Sequence, residues 1–278
     1  MSLYEKLKTA PYFFLIAGPC VIEEESIMYQ TAEYLKKLSV ELGLPLVFKS
    51  SYTKANRSSG DSFSGPGIEA GLALLSRIKR EFELPILSDV HEICEVGPAA
   101  EVCDILQIPA FLSRQTNLIR AAAETGRIVN IKKGQFMAPE DMAAASAKIR
   151  DAGNEQILLT ERGTSFGYHN LVVDFRGFAT MAETGYPVVY DLTHSLQRPA
   201  SGTVTGGNPE FAPMMARAAM ATGKVKGLFI ECHPEPKKAK SDSTTMLPLS
   251  ELKELLKPVI EIMRQNGGYN GAYPLKTQ

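Results

Sequence analysis

The chain has 278 residues, of which 44% are hydrophobic, so it can bury the core of one α/β barrel or of two smaller domains. Its 30 basic and 31 acidic residues give a net charge of −1. This balance argues against nucleic acid or a membrane as a partner, because proteins that bind those surfaces usually carry a basic excess. Any binding of an anion must therefore depend on positive charge concentrated at one place.

The cysteines and the apolar segments indicate the compartment. Four cysteines are too few for a disulfide-built scaffold in a chain of this size. The apolar run near the N-terminus stops at Gly18 and Pro19 and lacks a signal-peptide cleavage pattern. No segment approaches the roughly 20 apolar residues that span a bilayer. We therefore predict a cytoplasmic protein.

Eight short apolar runs, each ending in a polar or glycine-rich segment, predict eight β-strands. They are Phe13–Gly18, Leu46–Ser50, Pro85–Asp89, Ile105–Pro109, Ile128–Lys132, Ile157–Thr160, Val188–Leu192 and Gly227–Glu231. Their first residues lie 20 to 39 residues apart, which leaves room for one helix and two loops in each interval.

Seven further segments have the pattern or the end signals of helices. They are Ser26–Leu42, Gly67–Phe82, Leu118–Thr125, Pro139–Ala152, Phe175–Thr184, Pro209–Thr222 and Leu249–Gln265. No linker divides the chain, so the alternation predicts one domain over residues 1–278, a parallel (β/α)₈ TIM barrel rather than a six-stranded doubly wound sheet. Residues 1–12 form an N-terminal extension outside the repeat. The sequence leaves its place open, a cap over the barrel bottom being one arrangement.

Chemically active residues lie at the end of nearly every predicted strand or shortly after it. Active sites of such barrels lie at the carboxyl ends of the strands. Solvation of strand ends would explain any one of these residues, but it explains the whole set poorly. In chain order they include Cys20, Lys49, Asp89, Arg114, Lys132, Arg162, His194 and Glu231.

Basic residues at these ends predict an anionic ligand. Positive charge gathered in a partly desolvated cleft is unfavourable unless an anion compensates it, and both Arg and Lys bind phosphate or carboxylate. Strand alternation turns Asn130 and Lys132 inward and makes Lys133 the weaker candidate. The residues expected to converge on one cavity are Lys49, Lys54, Arg57, Arg114, Lys132 and Arg162.

The polar, glycine-rich segment 54–67 follows the second strand. Asn56, Arg57 and Ser58 can offer side-chain and backbone donors to a phosphate. A flexible surface loop is the alternative interpretation, but an arginine so soon after Lys49 favours an anion site.

Four residues of metal-binding type can meet at the closure of the barrel. Cys20 follows the first strand, which neighbours the last strand in a closed barrel, and Glu231 ends that last strand. His194 follows the seventh strand, and Asp242 lies in the loop after the eighth. A thiolate, an imidazole and two carboxylates suit Zn²⁺, Fe²⁺ or Mn²⁺ without choosing among them. The alternative is a buried thiol at Cys20 and a catalytic or hydrogen-bonding His194.

Alternation also bears on the neighbours of Glu231. Residues two apart on a strand share a face, so Glu231 and His233 are expected to point into the barrel together. Cys232 would then face the helices.

Motifs along nearly the whole chain resemble the 3-deoxy-D-manno-octulosonate 8-phosphate (Kdo-8-phosphate) synthase family of lipopolysaccharide biosynthesis. The matching stretches are IAGPC at 16–20, KSSYTKANRSS at 49–59, ILSDVHE at 86–92, IPAFLSRQTNL at 108–118, NIKKGQF at 130–136, ERGTSFGYHNLVVDFR at 161–176, YDLTHSLQ at 190–197, ECHPEP at 231–236 and KSDSTTMLPL at 240–249. The resemblance implies a homotetrameric barrel enzyme that condenses phosphoenolpyruvate with arabinose 5-phosphate and releases phosphate.

The resemblance also assigns roles by motif. It implies that phosphoenolpyruvate is bound by Lys54, Lys132 and Arg162, with Lys49 nearby. It also implies that Asn56, Arg57 and Ser58 bind the distal phosphate of the sugar, helped by Arg114 and Ser195. Asp89 would contact the sugar hydroxyls.

The family has a metal-dependent branch and a metal-independent branch, in which an Asn replaces the cysteine. Because this position is Cys20, the chain resembles the metal-dependent branch. The resemblance implies Cys20, His194, Glu231 and Asp242 as the metal ligands. Two roles for the metal stay open, polarising the aldehyde or lowering the pKa of water. The residues taken as catalytic are Lys132, His194, Cys20 and Asp242.

Lys132 is a candidate proton donor, because a lysine among other cations should have a lowered pKa. The rival within the same reaction class is condensation with erythrose 4-phosphate, whose enzymes typically carry a Lys-Pro-Arg-Thr pattern where this chain reads KANRSS. A mannosamine-type acceptor fits less well, because those enzymes usually have an extra C-terminal domain. A non-catalytic anion-binding barrel is the alternative outside enzymes.

Overall fold

In a computed structural model of the chain, residues 1–55, 63–167, 169–199 and 206–267 are described. Eight strands, each paired in parallel with the next, close through a pairing of β1 with β8. This is the predicted (β/α)₈ barrel. The strands are β1 Phe14–Gly18, β2 Leu46–Lys49, β3 Ile86–Asp89, β4 Ile105–Ile108, β5 Ile128–Lys132, β6 Ile157–Glu161, β7 Val188–Asp191 and β8 Gly227–His233.

All eight predicted strands are confirmed to within two residues at either end. Every residue of these strands is buried. The runs are apolar throughout because a parallel barrel strand is covered on one face by helices and on the other by the barrel interior.

Ten helices accompany the strands in the described part of the chain. They are α1 Leu3–Lys8, α2 Glu25–Leu42, α3 Ile68–Phe82, α4 Ile93–Val102, α5 Thr116–Glu124, α6 Asp141–Arg150, α7 Arg176–Ala182, α8 Leu192–Ser195, α9 Ala212–Ala221 and α10 Leu249–Gln265. The seven predicted helices correspond to α2, α3, α5, α6, α7, α9 and α10. None of the helices described here is long and apolar enough to cross a membrane.

The sequence did not predict α1, α4 or the single turn α8. Helix α4 contains Pro98 directly after Gly97, a pair that usually marks a break because proline lacks a backbone N–H. Packing overrides that signal here, since Val96 and Ala99 are buried in the main core.

The N-terminal extension closes the bottom of the barrel. Tyr4 and Leu7 of α1 belong to an inner apolar cluster with Phe14, Leu158 and other inward strand residues. The Tyr4 hydroxyl donates to the carbonyl of Ile157 at 3.2 Å, at the first residue of β6. Because side chains fill this end, the interior of the barrel opens, in the part of the chain described, toward the carboxyl ends of the strands.

Candidate active site

A cavity of about 470 Å³, its open mouth included, lies at the carboxyl ends of the strands. Lys49, Asp89, Lys132 and Arg162 come from the ends of β2, β3, β5 and β6. Lys54 lies in the loop after β2, and His194 lies in α8, directly after β7. The predicted residues that line it are Lys49, Lys54, Asp89, Lys132, Arg162 and His194.

The cations of this cavity are poorly solvated. Lys49, Lys132 and Arg162 are each at most 6% exposed. Burial lowers the pKa of Lys132 and of Arg162. One guanidinium nitrogen of Arg162, Nη1, is buried without a hydrogen-bond partner among the described residues, whereas Nη2 donates to Gln197 at 3.0 Å. An anion in the cavity would compensate this positive charge and accept a hydrogen bond from Nη1 of Arg162.

Lys132 occupies the centre of the site. Its ammonium lies 2.5 Å from the Asp191 carboxylate, 3.4 Å from Nδ1 of His194 and 4.1 Å from the centre of the Phe229 ring. Its pKa is lowered chiefly by burial, which Asp191 opposes. The predicted direction is therefore right, although burial rather than neighbouring cations is the main cause.

Lys132, the last residue of β5, and Lys133, which follows it, have separate surroundings, as strand alternation predicted. Lys133 is fully buried away from the cavity, where it donates to the carbonyl of Met137 at 3.0 Å and to Thr164 Oγ1 at 2.8 Å. Its ammonium also lies 3.5 Å from Glu161. Lys133 thus holds two loops above the barrel, whereas Lys132 faces the reaction space.

The four predicted metal ligands come together where β1 meets β8. The ligand atoms of Cys20, Glu231 and Asp242 all lie within 4.8 Å of one another. Nε2 of His194 is 3.6 Å from a carboxylate oxygen of Glu231 and 3.6 Å from one of Asp242. Sulfur, nitrogen and oxygen donors that face one another in this way fit a zinc or transition-metal ion.

In this group the pKa of the Cys20 thiol and the pKa of the Glu231 carboxyl shift in opposite directions. Burial, followed by Asp242 and Glu231, raises the pKa of Cys20 well above its usual range. Burial would also raise the pKa of Glu231, but His194 and Lys49 outweigh it and hold that pKa well below its ordinary value. Lys49 contacts the Glu231 carboxylate directly and donates to the carbonyl of Cys20 at 2.9 Å. Lys49 therefore links the segment after β1, which carries Cys20, to Glu231 on β8.

Asp191 fixes the histidine. Its carboxylate lies 2.8 Å from Nδ1 of His194 and accepts the backbone N–H of His194 at 3.0 Å, which caps α8. A proton on Nδ1 leaves Nε2 with its lone pair toward Glu231 and Asp242. Carboxylates commonly orient metal-binding histidines in this manner.

The loop that carries Asp242 is locally strained. Asp242 has a positive φ of 48°, which is uncommon outside glycine. Its carbonyl accepts the backbone N–H groups of Thr245 and Met246 at 3.0 and 3.1 Å. These bonds hold the side chain of Asp242 3.2 Å from the Cys20 sulfur.

Asp89 is held as a buried anion. Ser51 donates to Oδ2, and the amide nitrogen of Gln107 lies 2.5 Å from Oδ1. Burial favours the neutral form, but Lys54 and Lys49 outweigh it and hold the pKa of Asp89 well below its ordinary value.

Some predicted residues do not reach the cavity. Arg114 is exposed and is not among the lining residues, because the turn after Ala110–Leu112 directs it outward. Ser195 lines a neighbouring pocket, and its hydroxyl donates to the Leu192 carbonyl at 2.8 Å. Asn56, Arg57 and Ser58 lie outside the described residues.

His233, which strand alternation predicts on the same face as Glu231, has partners of its own. Its Nδ1 accepts the backbone N–H of Glu235 at 2.9 Å, and its Nε2 lies 3.9 Å from Glu23. Cys232 packs in the outer core, as predicted.

Five cavity residues were missed from the sequence: Gln107, Pro109, Ala110, Phe111 and Gln135. Gln107 carried a usable signal, since it is a polar residue inside the otherwise apolar strand ILQI. Phe111 lies in the short 3₁₀ helix Ala110–Leu112 and Gln135 in a turn after β5, where residue type gives no direction.

This fold and this site define an enzyme class: a (β/α)₈ barrel with a cationic cavity, suited to anionic substrates, beside a candidate metal site. The chain belongs to the DAHP synthetase I family, whose sequence pattern matches residues 10–265.

Similar proteins share most of this chain. One from Cupriavidus taiwanensis is 55% identical over 257 residues, covering 90% of this chain and 89% of the relative. Others from Alkalilimnicola ehrlichii and Acidithiobacillus ferrooxidans are 53% and 51% identical, over 90% and 94% of both chains. All three relatives bear the name 2-dehydro-3-deoxyphosphooctonate aldolase.

Proposed function

We propose that this protein condenses phosphoenolpyruvate with D-arabinose 5-phosphate and water, giving 3-deoxy-D-manno-octulosonate 8-phosphate and inorganic phosphate for lipopolysaccharide synthesis. The observation that carries the proposal is the cationic cavity in a chain more than half identical to relatives of the corresponding name. The residues 1–278 act as a single catalytic domain, of which 1–12 are an extension.

The cations bind and orient phosphoenolpyruvate. Lys54, Lys132 and Arg162 balance its phosphate and carboxylate, and Lys49 supports them from its contact with Glu231. Fixing both reactants in the cavity replaces a bimolecular encounter with an oriented one.

The acceptor sugar lies toward Asp89. Two of the lone pairs of this carboxylate are already used by Ser51 and Gln107, and the others can accept sugar hydroxyls. The distal phosphate binds Asn56, Arg57 and Ser58. Arg114 and Ser195 complete this phosphate site only if their side chains turn from the positions described above.

The bonds change in one balanced sequence. The methylene carbon of phosphoenolpyruvate attacks the aldehyde carbon, and the aldehyde oxygen takes a proton. Water adds to the adjacent carbon of phosphoenolpyruvate, and the resulting hemiketal phosphate loses inorganic phosphate by C–O cleavage. Lys132, with its lowered pKa, is the proposed donor of the proton to the aldehyde oxygen.

A divalent metal (Zn, Fe, Mn or similar) is part of the proposal. Cys20, His194, Glu231 and Asp242 would hold it, and their mutual distances support this. When bound, the metal supplies Lewis acidity for the aldehyde or the water. The cysteine at position 20 supports membership of the metal-dependent branch.

The deciding experiment measures phosphate release from phosphoenolpyruvate with arabinose 5-phosphate or erythrose 4-phosphate. Release with the first aldose and little with the second is expected. Release with erythrose 4-phosphate alone would contradict the proposal and support the second candidate, condensation to a 3-deoxy-7-phosphoheptulonate. The family description favours that candidate, whereas the KANRSS segment and the named relatives favour the first.

The metal is tested on the same protein after treatment with a strong chelator. Activity should fall and return on readdition of Zn²⁺, Fe²⁺ or Mn²⁺, and metal content should follow it. Full activity of metal-free wild-type protein would refute the metal. A Cys20→Ser variant should retain less metal at equal free metal concentration.

A homotetramer in the cytoplasm completes the proposal. Several large apolar side chains are exposed on the chain, among them Phe166 at 74% and Phe136 at 61%, as expected of a surface that associates. All four cysteines are free thiols, which suits a reducing compartment. Sedimentation analysis should give four times the 30.3 kDa chain mass.

A further inference from the structure

Under the cavity, a series of hydrogen-bonded, buried polar side chains crosses four neighbouring strands, β3 to β6. Thr160 Oγ1 donates to Asn130 Oδ1 at 2.7 Å. The Asn130 amide nitrogen donates to Gln107 Oε1 at 2.8 Å. The Gln107 amide nitrogen donates to Asp89 Oδ1 at 2.5 Å, and Ser51 donates to Asp89 from the other side.

The register of the strands aligns these hydrogen-bonded side chains. Asp89 is the direct neighbour of Gln107 between β3 and β4, and Gln107 is the direct neighbour of Asn130 between β4 and β5. Neighbours in register share a face, so these side chains meet inside the barrel. All of them are at most 6% exposed.

The bonds have one direction. Thr160 can donate to Asn130 only if the Asn130 oxygen faces β6, and this orientation turns the Asn130 amide nitrogen to Gln107. Gln107 then presents its own nitrogen to Asp89. Every donor therefore points toward the Asp89 carboxylate, and every amide orientation is fixed by the preceding one.

Only the Asp89 end of this hydrogen-bonded series reaches the cavity. Asp89 and Gln107 line it, whereas Asn130 and Thr160 do not. We propose that Asn130 and Thr160 are positioning residues, which act through Gln107 to fix Asp89 as an acceptor for the hydroxyls of the aldose phosphate. This inference rests on the proposed function for the identity of the substrate.

Removal of Asn130 would release Gln107. A buried carbonyl without a donor is unfavourable, and Gln107 can satisfy it by rotating into the wet cavity. That rotation would withdraw its nitrogen from Asp89 and intrude on the sugar site. Thr160 lies one bond further away, so its loss should have a smaller effect in the same direction.

The test compares Asn130→Leu and Thr160→Val with two matched controls. Thr31→Val removes a buried hydroxyl that has no hydrogen-bond partner among the described residues. Asn154→Leu removes a buried amide at the opposite end of the barrel, where it donates to Ala123 and Arg127 carbonyls at 3.1 and 2.8 Å.

Asn130→Leu should lower kcat/KM for arabinose 5-phosphate by up to about 100-fold, with little change in KM for phosphoenolpyruvate. Thr160→Val should show a smaller loss, and Thr31→Val none. Asn154→Leu should lower the melting temperature without changing either KM. Equal kinetic losses for Asn130→Leu and Asn154→Leu, or wild-type constants in Asn130→Leu, would overturn the inference.

A crystal structure of Asn130→Leu gives a readout that does not depend on activity. The distance from the Gln107 amide to Asp89 Oδ1 should increase from 2.5 Å to beyond hydrogen-bonding range. An unchanged Gln107 in that structure would overturn the positioning role. Absence of condensation by the wild-type protein would instead refute the proposed function, and the crystal structure would still decide the positioning role.

Discussion

The Asp191 carboxylate lies 2.8 Å from Nδ1 of His194, so the opposite ring nitrogen is presented to Glu231 and Asp242. The same carboxylate pairs with Lys132 at 2.5 Å. One buried anion thus orients a candidate metal ligand and the candidate proton donor together.

Asp191→Asn is expected to weaken Zn²⁺ binding by about 10- to 100-fold, because an amide orients the imidazole less strongly than a carboxylate. Competition with a fluorescent zinc chelator on metal-stripped protein measures this. Asp174→Asn is the control, since Asp174 pairs with Arg176 at the surface. Equal zinc affinity in the Asp191→Asn protein and the wild type would contradict the role given to Asp191.

Exchange of the two lysines for methionine should separate chemistry from stability. Lys132→Met is expected to lower kcat by about 10²- to 10⁴-fold, the range for loss of a positioned proton donor. Lys133→Met should instead destabilise the fold by roughly 3 kcal/mol, because it removes the partner of buried Glu161. Steady-state kinetics and thermal unfolding of both variants check the contrast. Similar kcat values in the two variants, after correction for the folded fraction, would disprove it.

Lys226 should make the stability of the barrel bottom depend on pH. Burial lowers the pKa of Lys226 from 10.5 to about 8, and its ammonium donates to the Ala10 carbonyl at 2.6 Å. Between these values the unfolded chain binds the proton and the folded chain does not, so the contribution of Lys226 to stability rises with pH. Below about pH 8 the full cost of burying the charge is present.

The melting temperature of the wild type relative to Lys226→Met should therefore increase from pH 7 to pH 10. Lys8→Met, which changes an exposed lysine of α1, should show no such trend. A constant difference between the wild type and Lys226→Met across this range would count against the lowered pKa.

Gly18 is needed for the close approach of β1 to β2. A Cβ atom at Gly18 would lie 2.0 Å from the carbonyl oxygen of Lys49, and the φ angle of 157° is also rare for other residues. Gly18→Ala should cost about 1–3 kcal/mol and disturb both Lys49 and Cys20. Gly97→Ala in α4 meets no atom within 4 Å and should stabilise by about 0.4–1 kcal/mol. Thermal unfolding of the two variants should show opposite signs.

The sequence determined the strands, their order and the chemical character of the site. Short apolar runs can be read directly because a parallel barrel buries both faces of each strand. Barrel closure then follows from the strand–helix alternation, and it brings the strand ends to one side. Lys49, Lys132, Arg162 and the candidate metal ligands beside β1 and β8 could therefore be located from the sequence.

Helix α4 and the loop side chains depended on tertiary structure. Packing of Val96 and Ala99 holds a helix together across Gly97 and Pro98, and no local signal reports that packing. Arg114 and Ser195 have the right chemistry for a phosphate, but a turn directs one outward and a hydrogen bond occupies the other.

Tertiary structure alone also decided which polar groups act together. Strand alternation turned Asn130 inward, but only the register of β3, β4 and β5 joins it through Gln107 to Asp89. The lowered pKa of Lys132 likewise depends on burial, which composition does not give. Residue types and their order are local properties of the sequence, whereas register, burial and the direction of a hydrogen bond arise only when distant segments pack together.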